Sequence, residues 1–401
     1  MKQALFIDKN DPSEFWIEDI RGRFRVEREV DKVLSKKLRT RKNCPYKATS
    51  LETLVSCTQA LISAHYSEKF KVSAPRWLIG GASKIQMAFN LNWSPGGNKN
   101  QITEMVLRME PAASVCETSR LREFQLIKYV EEAIPVPTVY WEDSDAKYFP
   151  YPALICGFCQ GVTKPTQSTS NVSGLGTNLG SHLRKGLSGE FMSHLATLHN
   201  LPIDEPGLSA FDIPSAPQDA ARWNVDWWRR VWQEDSNQPV PLMDLAGGWM
   251  SANLPDLDKA SLIHGDYRTG NFLFDETTST ITAWLDWELG HIGDRHEDLA
   301  WAMSRAFGHM DETDTDFLIC GLLSENEFIT QYKVHSGLSI NLETLHFYRI
   351  LAAYKAIVIV LGAGVRNAMN SKSHQDVLLV WLSGLASVLL DDLRQLMSKV
   401  V

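Results

Sequence analysis

His264-Gly265-Asp266-Tyr267-Arg268-Thr269-Gly270-Asn271, followed past one predicted hairpin by Leu285-Asp286-Trp287-Glu288, decides how this chain reads. An Asp, an Asn five positions on and a second Asp at the end of the next hairpin make the spacing that phosphoryl transfer uses. The first Asp accepts the acceptor hydroxyl's proton, while the Asn and the second Asp hold the magnesium ions that clamp the nucleotide phosphates. Asp266, Asn271 and Asp286 occupy those places. Between them, Asn271-Phe272-Leu273-Phe274 and Ile281-Thr282-Ala283-Trp284-Leu285 are short apolar runs split by the polar turn 275–280, which predicts a β-hairpin. Asp286 and Glu288 stand two apart on the predicted strand, so both are expected to leave one face and converge on one cation. Oxygen ligands without neighbouring Cys or His favour a hard ion such as Mg²⁺. His264 reads as a residue that holds the loop by hydrogen bonds, not as a ligand. A turn-forming role explains any one of these residues and fails to explain the set.

Working outward, 401 residues suffice for two or three cores, and 44% hydrophobic with 22% charged residues is an ordinary globular composition. A net charge of −8 lacks the basic field a nucleic-acid binder needs. Between Arg21 and Lys42, the cations Lys36, Lys37, Arg39 and Arg41 alternate with Glu27, Glu29 and Asp31, which predicts a solvated helix face. The N-terminus has no apolar stretch of signal-peptide length, and the apolar run 352–361 is too short for a bilayer and contains Lys355, so no membrane association is expected. Six cysteines without framework spacing point to a reducing compartment, and the expected location is cytoplasmic. Cys156-Gly157-Phe158-Cys159 lacks the helix a redox CxxC opens. Residues 161–180 read as a long loop, and the GxGxxxG spacing of Gly174, Gly176 and Gly180 is not a dinucleotide fingerprint.

Along the chain, Thr49 and Glu52 form a capping-box pattern ahead of helically spaced Leu51, Leu54, Val55, Leu61 and Ile62, predicting a helix to about residue 67. Residues 1–48 read as an accessory extension. Ile85, Met87, Phe89 and Leu91 alternate with polar or small residues, a Pro-Gly-Gly turn follows, and 103–109 returns as a second strand. Gly80, Gly81 and Ser83 precede that hairpin and are candidates for a lid over nucleotide phosphates. Arg108 lies on the apolar strand Met105-Val106-Leu107 and needs a partner, which Glu123 on the predicted helix 119–133 can supply. The pair would parallel the strand cation and helix carboxylate of kinases. Residues 152–157 predict a strand into an interlobe hinge where adenine would meet backbone. Beyond it the pattern turns helical. Trp223, Trp227, Trp228 and Trp232 lie among arginines on one helix and are candidates for a substrate wall, with a packing role as the alternative. Residues 345–361 and 377–396 predict two closing helices.

Together these motifs resemble the aminoglycoside phosphotransferase and choline kinase superfamily. The resemblance runs from about residue 75 onward, through residues 262–275, 284–290, Gly293-Asp294 and Asp298-Leu299-Ala300-Trp301. Within that superfamily the chain looks most like the kinase domains associated with acyl-CoA dehydrogenases, on Val106-Leu107-Arg108 and Leu121-Arg122-Glu123-Phe124. The resemblance implies an α+β, two-lobed protein-kinase-like fold with a small β-rich N-lobe and a larger, mainly helical C-lobe. Its expected divisions are an N-terminal extension and helix (1–72), a nucleotide-binding N-lobe (73–157) and a C-lobe with catalytic loop, metal site and acceptor site (158–401). It implies Asp266 as base, Asn271 and Asp286 as metal ligands, Arg108 as phosphate contact with Glu123 as its partner, and Asp298 as a buried acid holding the catalytic loop. The implied activity is ATP- and Mg²⁺-dependent phosphorylation of a small-molecule hydroxyl, possibly of a hydroxyacyl-CoA or a hydroxylated acid or alcohol. An antibiotic O-phosphotransferase and a nucleotide-binding pseudokinase are the alternatives. Gly157, where relatives often carry a hinge Glu, Arg295-His296-Glu297, and the first seventy residues depart from the family pattern.

Overall fold

The computed structural model describes residues 8–42, 48–78, 84–97, 99–168, 174–369 and 376–400. Two short helices, α1 (Glu14–Arg23) and α2 (Arg28–Thr40), precede α3 (Leu51–His65). The cap of α3 is Ser50, whose side chain accepts from the Thr53 N–H at 3.2 Å, so the helix starts one residue later than the Thr49–Glu52 pattern predicts.

Strands β1 (Lys71–Trp77), β2 (Ile85–Trp93) and β3 (Gln101–Met109), helix α4 (Arg120–Val130), and strands β4 (Val139–Asp143) and β5 (Ala153–Gly157) build the N-lobe. The sheet runs β1-β2-β3-β5-β4, antiparallel throughout. Strand alternation gives it two apolar faces. Met105, Leu107 and Ile155 pack with Met87 and Phe89 under Leu54, Leu61 and Ile62 of α3. Val106, Leu154 and Cys156 look the other way, onto Leu126, Ile127 and Val130 of α4 and into the main core.

The C-lobe follows with α5 (Gly180–Asn200), α6 (Asp219–Asp235) and α7 (Pro241–Ala252). Strand β6 (Ala260–Ile263), the hairpin β7 (Phe272–Asp275) and β8 (Thr280–Trp284), β9 (His291–Asp294) and α8 (His296–Ala302) come next. After the short pair β10 (His309–Met310) and β11 (Phe317–Leu318), helices α9 (Glu325–Ser336), α10 (Leu342–Ile357), α11 (Val365–Met369), α12 (Asp376–Ser383) and α13 (Ala386–Met397) close the lobe. The two-lobed, kinase-like architecture is the expected one. Continuous helical backbone from Leu342 to Met369 is longer than the apolar run suggests, and by length and composition it could cross a membrane. It is instead largely wrapped in the C-lobe, 61% buried in its most apolar window.

Two expectations are corrected. Residues 1–72 are not one unit: α3 belongs to the N-lobe core, whereas Val30 and Leu34 of α2 join the main core. Nor is the basic stretch a solvated face. Lys37 lies 2.9 Å from both Glu234 and Asp235 at the end of α6, Arg41 pairs with Asp235, and Arg230 reaches Asp31 at 2.6 Å. Charge complementarity between α2 and α6 explains the sequence pattern better than solvation does.

Candidate active site

The catalytic loop is hung between paired strands β6 and β9, with Ile263 opposite His291. Asp298, in the first turn of α8, accepts from the backbone N–H groups of His264 (2.7 Å) and Gly265 (2.8 Å) and lies 3.3 Å from His199 Nε2. Burial pushes the Asp298 carboxyl up, but the His199 hydrogen bond and the other donors outweigh it, so the group is held below its ordinary value. Gly265 turns at φ +79°, and a Cβ there would stand 2.6 Å from the Leu289 carbonyl oxygen, so only glycine fits. The Lys355 ammonium, from α10, donates to the Gly265 carbonyl.

His264 performs the expected holding role. Its Nε2 is 3.0 Å from the Leu285 carbonyl and its Nδ1 accepts the Asp266 N–H at 3.2 Å, which requires the neutral Nε2–H tautomer. Burial lowers its pKa and favours that neutral form. The Asp266 carboxylate accepts from three side chains. Trp301 Nε1 and Arg268 Nε reach Oδ1 at 2.5 and 2.8 Å, and Asn271 Nδ2 reaches Oδ2 at 2.5 Å.

Asn271 opens β7 and Asp286 follows β8, and the Leu285 N–H donates to the Asn271 carbonyl at 2.7 Å, tying the two arms together. Both hydrogen bonds of the Asn271 amide nitrogen go to Asp266, which leaves its Oδ1 as the atom able to face a cation. Asp286 takes a left-handed backbone conformation (φ 59°, ψ 51°), uncommon outside glycine, and leads into a tight turn over Trp287–Leu289. That turn corrects the strand reading. Asp286 and Glu288 do not share a strand face, and the Glu288 carboxylate lies 2.7 Å from Lys84 and 3.2 Å from Arg120. Among the described residues no group of three or more His, Cys, Asp or Glu could hold a metal alone. The oxygens of Asn271 and Asp286 suit Mg²⁺, which takes one or two protein ligands and completes its shell with phosphate oxygens and water. The donor set therefore fits a metal that arrives with a nucleotide.

Across the cleft, Arg108 Nη2 lies 3.2 Å from Glu123 Oε1 and 2.7 Å from Asp286 Oδ1. Burial alone would raise the Asp286 pKa, yet Arg108 outweighs it and the net shift is downward. Glu288 is likewise lowered because Lys84 outweighs burial. Lys84 also meets Glu110 at 2.8 Å, and Arg120 meets Glu110 at 2.9 Å and contacts Glu123. Lys84, Arg120, Arg268, Trp301 and Lys355 were not among the expected site residues. A lysine directly after Gly-Gly-Ala-Ser and at the head of an apolar strand was the available signal for Lys84. Gly80, Gly81 and Ser83 lie outside the described residues.

At the hinge, the Gly157 N–H bonds the Thr138 carbonyl and the Phe158 N–H bonds the Glu104 carbonyl, so these two donors are committed within the N-lobe. Beside them opens a cleft of about 390 Å³ lined by Ile102, Glu104, Thr138, Tyr140, Phe158 and Cys159. The tryptophan wall resolves toward packing: Trp227, Trp228 and Trp232 are buried in the core, Trp227 stacking on Trp228 with centroids 5.2 Å apart.

Comparison with known proteins places this geometry. The model of the phosphotransferase enzyme family matches residues 90–318, more than half of the chain and all of the residues just described from Arg108 to Trp301. Acyl-CoA dehydrogenase family member 10 of Mus musculus is 22% identical over 284 residues, 67% of this chain and 25% of that protein. Acyl-CoA dehydrogenase family member 11 of Homo sapiens is 29% identical over 190 residues, 45% of this chain and 24% of that protein. The chain thus spans about a quarter of the length of these relatives. Among solved structures, an aminoglycoside phosphotransferase-like protein of Ralstonia eutropha superposes with a TM-score of 0.60 at 18% identity, over 87% of this chain and 98% of that one. Plasmodium vivax ethanolamine kinase gives 0.54 at 13% identity, over 91% and 95%. These two likenesses concern the fold. A family match that takes in the catalytic loop, the hairpin and the strand cation carries the assignment: the chain belongs to the phosphotransferase enzyme family and is a small-molecule kinase.

Proposed function

We propose that this kinase transfers the γ-phosphoryl group of ATP, bound with Mg²⁺, to a hydroxyl on a largely apolar or anionic metabolite such as a hydroxyacyl-CoA or a hydroxylated acid or alcohol. The observation that carries this reading is the Asp266 carboxylate, held by Trp301, Arg268 and Asn271 within reach of the Asn271–Asp286 oxygen pair. In the reaction the acceptor oxygen forms the new P–O bond, the bond to the departing ADP oxygen breaks with its electron pair, and the hydroxyl proton passes to Asp266. Asn271 and Asp286 would hold the metal, which supplies neutralisation of the charge developing on the phosphate oxygens. Arg108, oriented by Glu123, would meet the phosphates, and positioning with charge neutralisation accounts for most of the rate.

Two observations favour the acceptor class. The relatives that match in sequence carry the name acyl-CoA dehydrogenase family, and the side chain next to the base is the cation Arg268, a poor neighbour for a polyamine sugar. The intact set of Asp266, Asn271 and Asp286 argues against a pseudokinase. The test is ADP release with Mg²⁺ and ATP across hydroxyacyl-CoAs, hydroxy acids, amino alcohols and aminoglycosides. Turnover confined to aminoglycosides would overturn the acceptor class, and absence of turnover with every acceptor would favour the pseudokinase.

A further inference from the structure

We infer that Trp301 is a positioning residue for the proton-accepting carboxylate and selects which of its two oxygens faces the acceptor. The inference rests on the reading of Asp266 as base. Asp298 and Trp301 are three residues apart on α8 and so share one helix face. Asp298 grips the loop backbone at His264 and Gly265, and Trp301 grips the Asp266 side chain through its indole N–H, 2.5 Å from Oδ1. One rigid helix thereby sets both the main-chain and the side-chain coordinates of the base.

A carboxylate offers about four lone-pair sites, two on each oxygen. The donors Trp301 Nε1 and Arg268 Nε fill Oδ1 at 2.5 and 2.8 Å. Oδ2 accepts Asn271 at 2.5 Å, and its other approach, from Arg268 Nη2, is long at 3.4 Å. Oδ2 is therefore the atom with capacity for the acceptor's proton.

The setting of the indole argues for a role beyond filling space. Trp301 is buried, and a phenyl or leucyl group would pack there without an N–H to satisfy. The Lys355 ammonium lies 4.4 Å from its ring centroid and 5.3 Å from that of Trp228, while donating to the Gly265 carbonyl. A cation over the ring face draws electron density from the indole and strengthens its N–H as a donor. Loop backbone, cation, indole and carboxylate thus form one connected unit.

The test uses the full chain with Trp301→Phe and with a benzothiophene analogue of tryptophan at 301, which keeps both rings and removes only the N–H. We expect kcat with the acceptor found by the panel to fall about 10–100-fold, as for loss of a residue that orients a reacting group. The nucleotide KM and the thermal midpoint should stay at the values of the unaltered chain. The indole ¹H–¹⁵N resonance missing from Trp301→Phe should lie downfield and move upfield in Asp266→Asn. Unchanged kcat in the benzothiophene variant, or a fall in kcat matched by equal losses of nucleotide affinity and thermal midpoint, overturns the inference. So does a Trp301 resonance that Asp266→Asn leaves in place, whatever the panel returns. Full turnover in Asp266→Asn would instead overturn the base assignment itself.

Discussion

Arg108 Nη2 lies 2.7 Å from Asp286 Oδ1, so a guanidinium rooted in the N-lobe sheet closes directly on the loop that follows the C-lobe hairpin. The same nitrogen is 3.2 Å from Glu123 on α4. One cation therefore links strand, helix and metal loop. Its side chain is nearly buried, and a buried guanidinium stripped of either carboxylate would leave the other with an altered field. The pairing also sets the two functions in contact: whatever moves α4 moves the phosphate contact relative to the proposed metal ligand.

The first prediction tests that link. Arg108→Met and Glu123→Gln, alone and combined, should show coupling of about 0.5–3 kcal/mol in nucleotide affinity, the range for residues in one ion-pair network. If the two losses simply add, Arg108 and Glu123 do not act as a unit.

Asp266→Asn should leave nucleotide affinity and thermal stability intact while turnover drops by about 10²–10⁴-fold, the usual range for a general base. The amide preserves the shape and can still accept from Trp301 at Oδ1, so the loop has no reason to move. Near-normal turnover in steady-state assays would remove Asp266 from the mechanism.

Asp286→Ala should abolish metal-dependent nucleotide binding, and Asn271→Ala should weaken it, because a shell with two protein oxygens cannot lose its only anionic one. Calorimetry with Mg²⁺ and with chelator provides the comparison. Equal affinity in the two conditions for the unaltered chain would refute the metal assignment. Asn271→Ala carries a second expectation. It frees Asp266 Oδ2 from its 2.5 Å bond, so turnover should fall further than metal affinity does.

Local patterns announced much of this architecture. Strand alternation in 85–91, the hairpin on either side of residues 275–280 and the apolar spacing of α3 are period-2 and period-3.6 signals that need no tertiary information. Asp266, Asn271 and Asp286 were legible because a catalytic loop and its hairpin are short, so their spacing survives in the chain. What failed depended on distant partners. Glu288 follows a left-handed residue, and the turn it enters swings its carboxylate to Lys84 and Arg120, which lie far away in sequence. The tryptophans of α6 looked like a wall because a helix buried on several sides carries more aromatics than one stripe needs. Lys37 and Arg41 looked solvated because the carboxylates that neutralise them, Glu234 and Asp235, sit some two hundred residues later on α6.

That same α2–α6 contact yields the last prediction, which concerns acid. Asp235 is buried against Lys37, Arg41 and Arg366. Burial pushes its carboxyl up, but Lys37 and then Arg41 outweigh burial and hold the pKa at about 2, below the ordinary 3.8. Asp31, at the other end of the contact, is also held at about 2: burial raises it, and the hydrogen bonds from Arg21 and Arg230 outweigh that. A carboxylate whose folded pKa is depressed contributes stability that is present above its unfolded pKa and lost as pH falls through the folded one. The contact should therefore be intact above about pH 4 and loosen between about pH 4 and pH 2. Pepsin, which works in this window, should cut residues 8–42 before it cuts the N-lobe sheet or α10. Asp235→Asn removes one partner of a buried ion pair, a change that costs about 3–5 kcal/mol. It should expose the same segment to proteolysis already near neutral pH with a neutral-range protease. First cuts elsewhere as the pH falls, or a variant as resistant as the unaltered chain, would show that something other than these ion pairs holds α2 to the C-lobe.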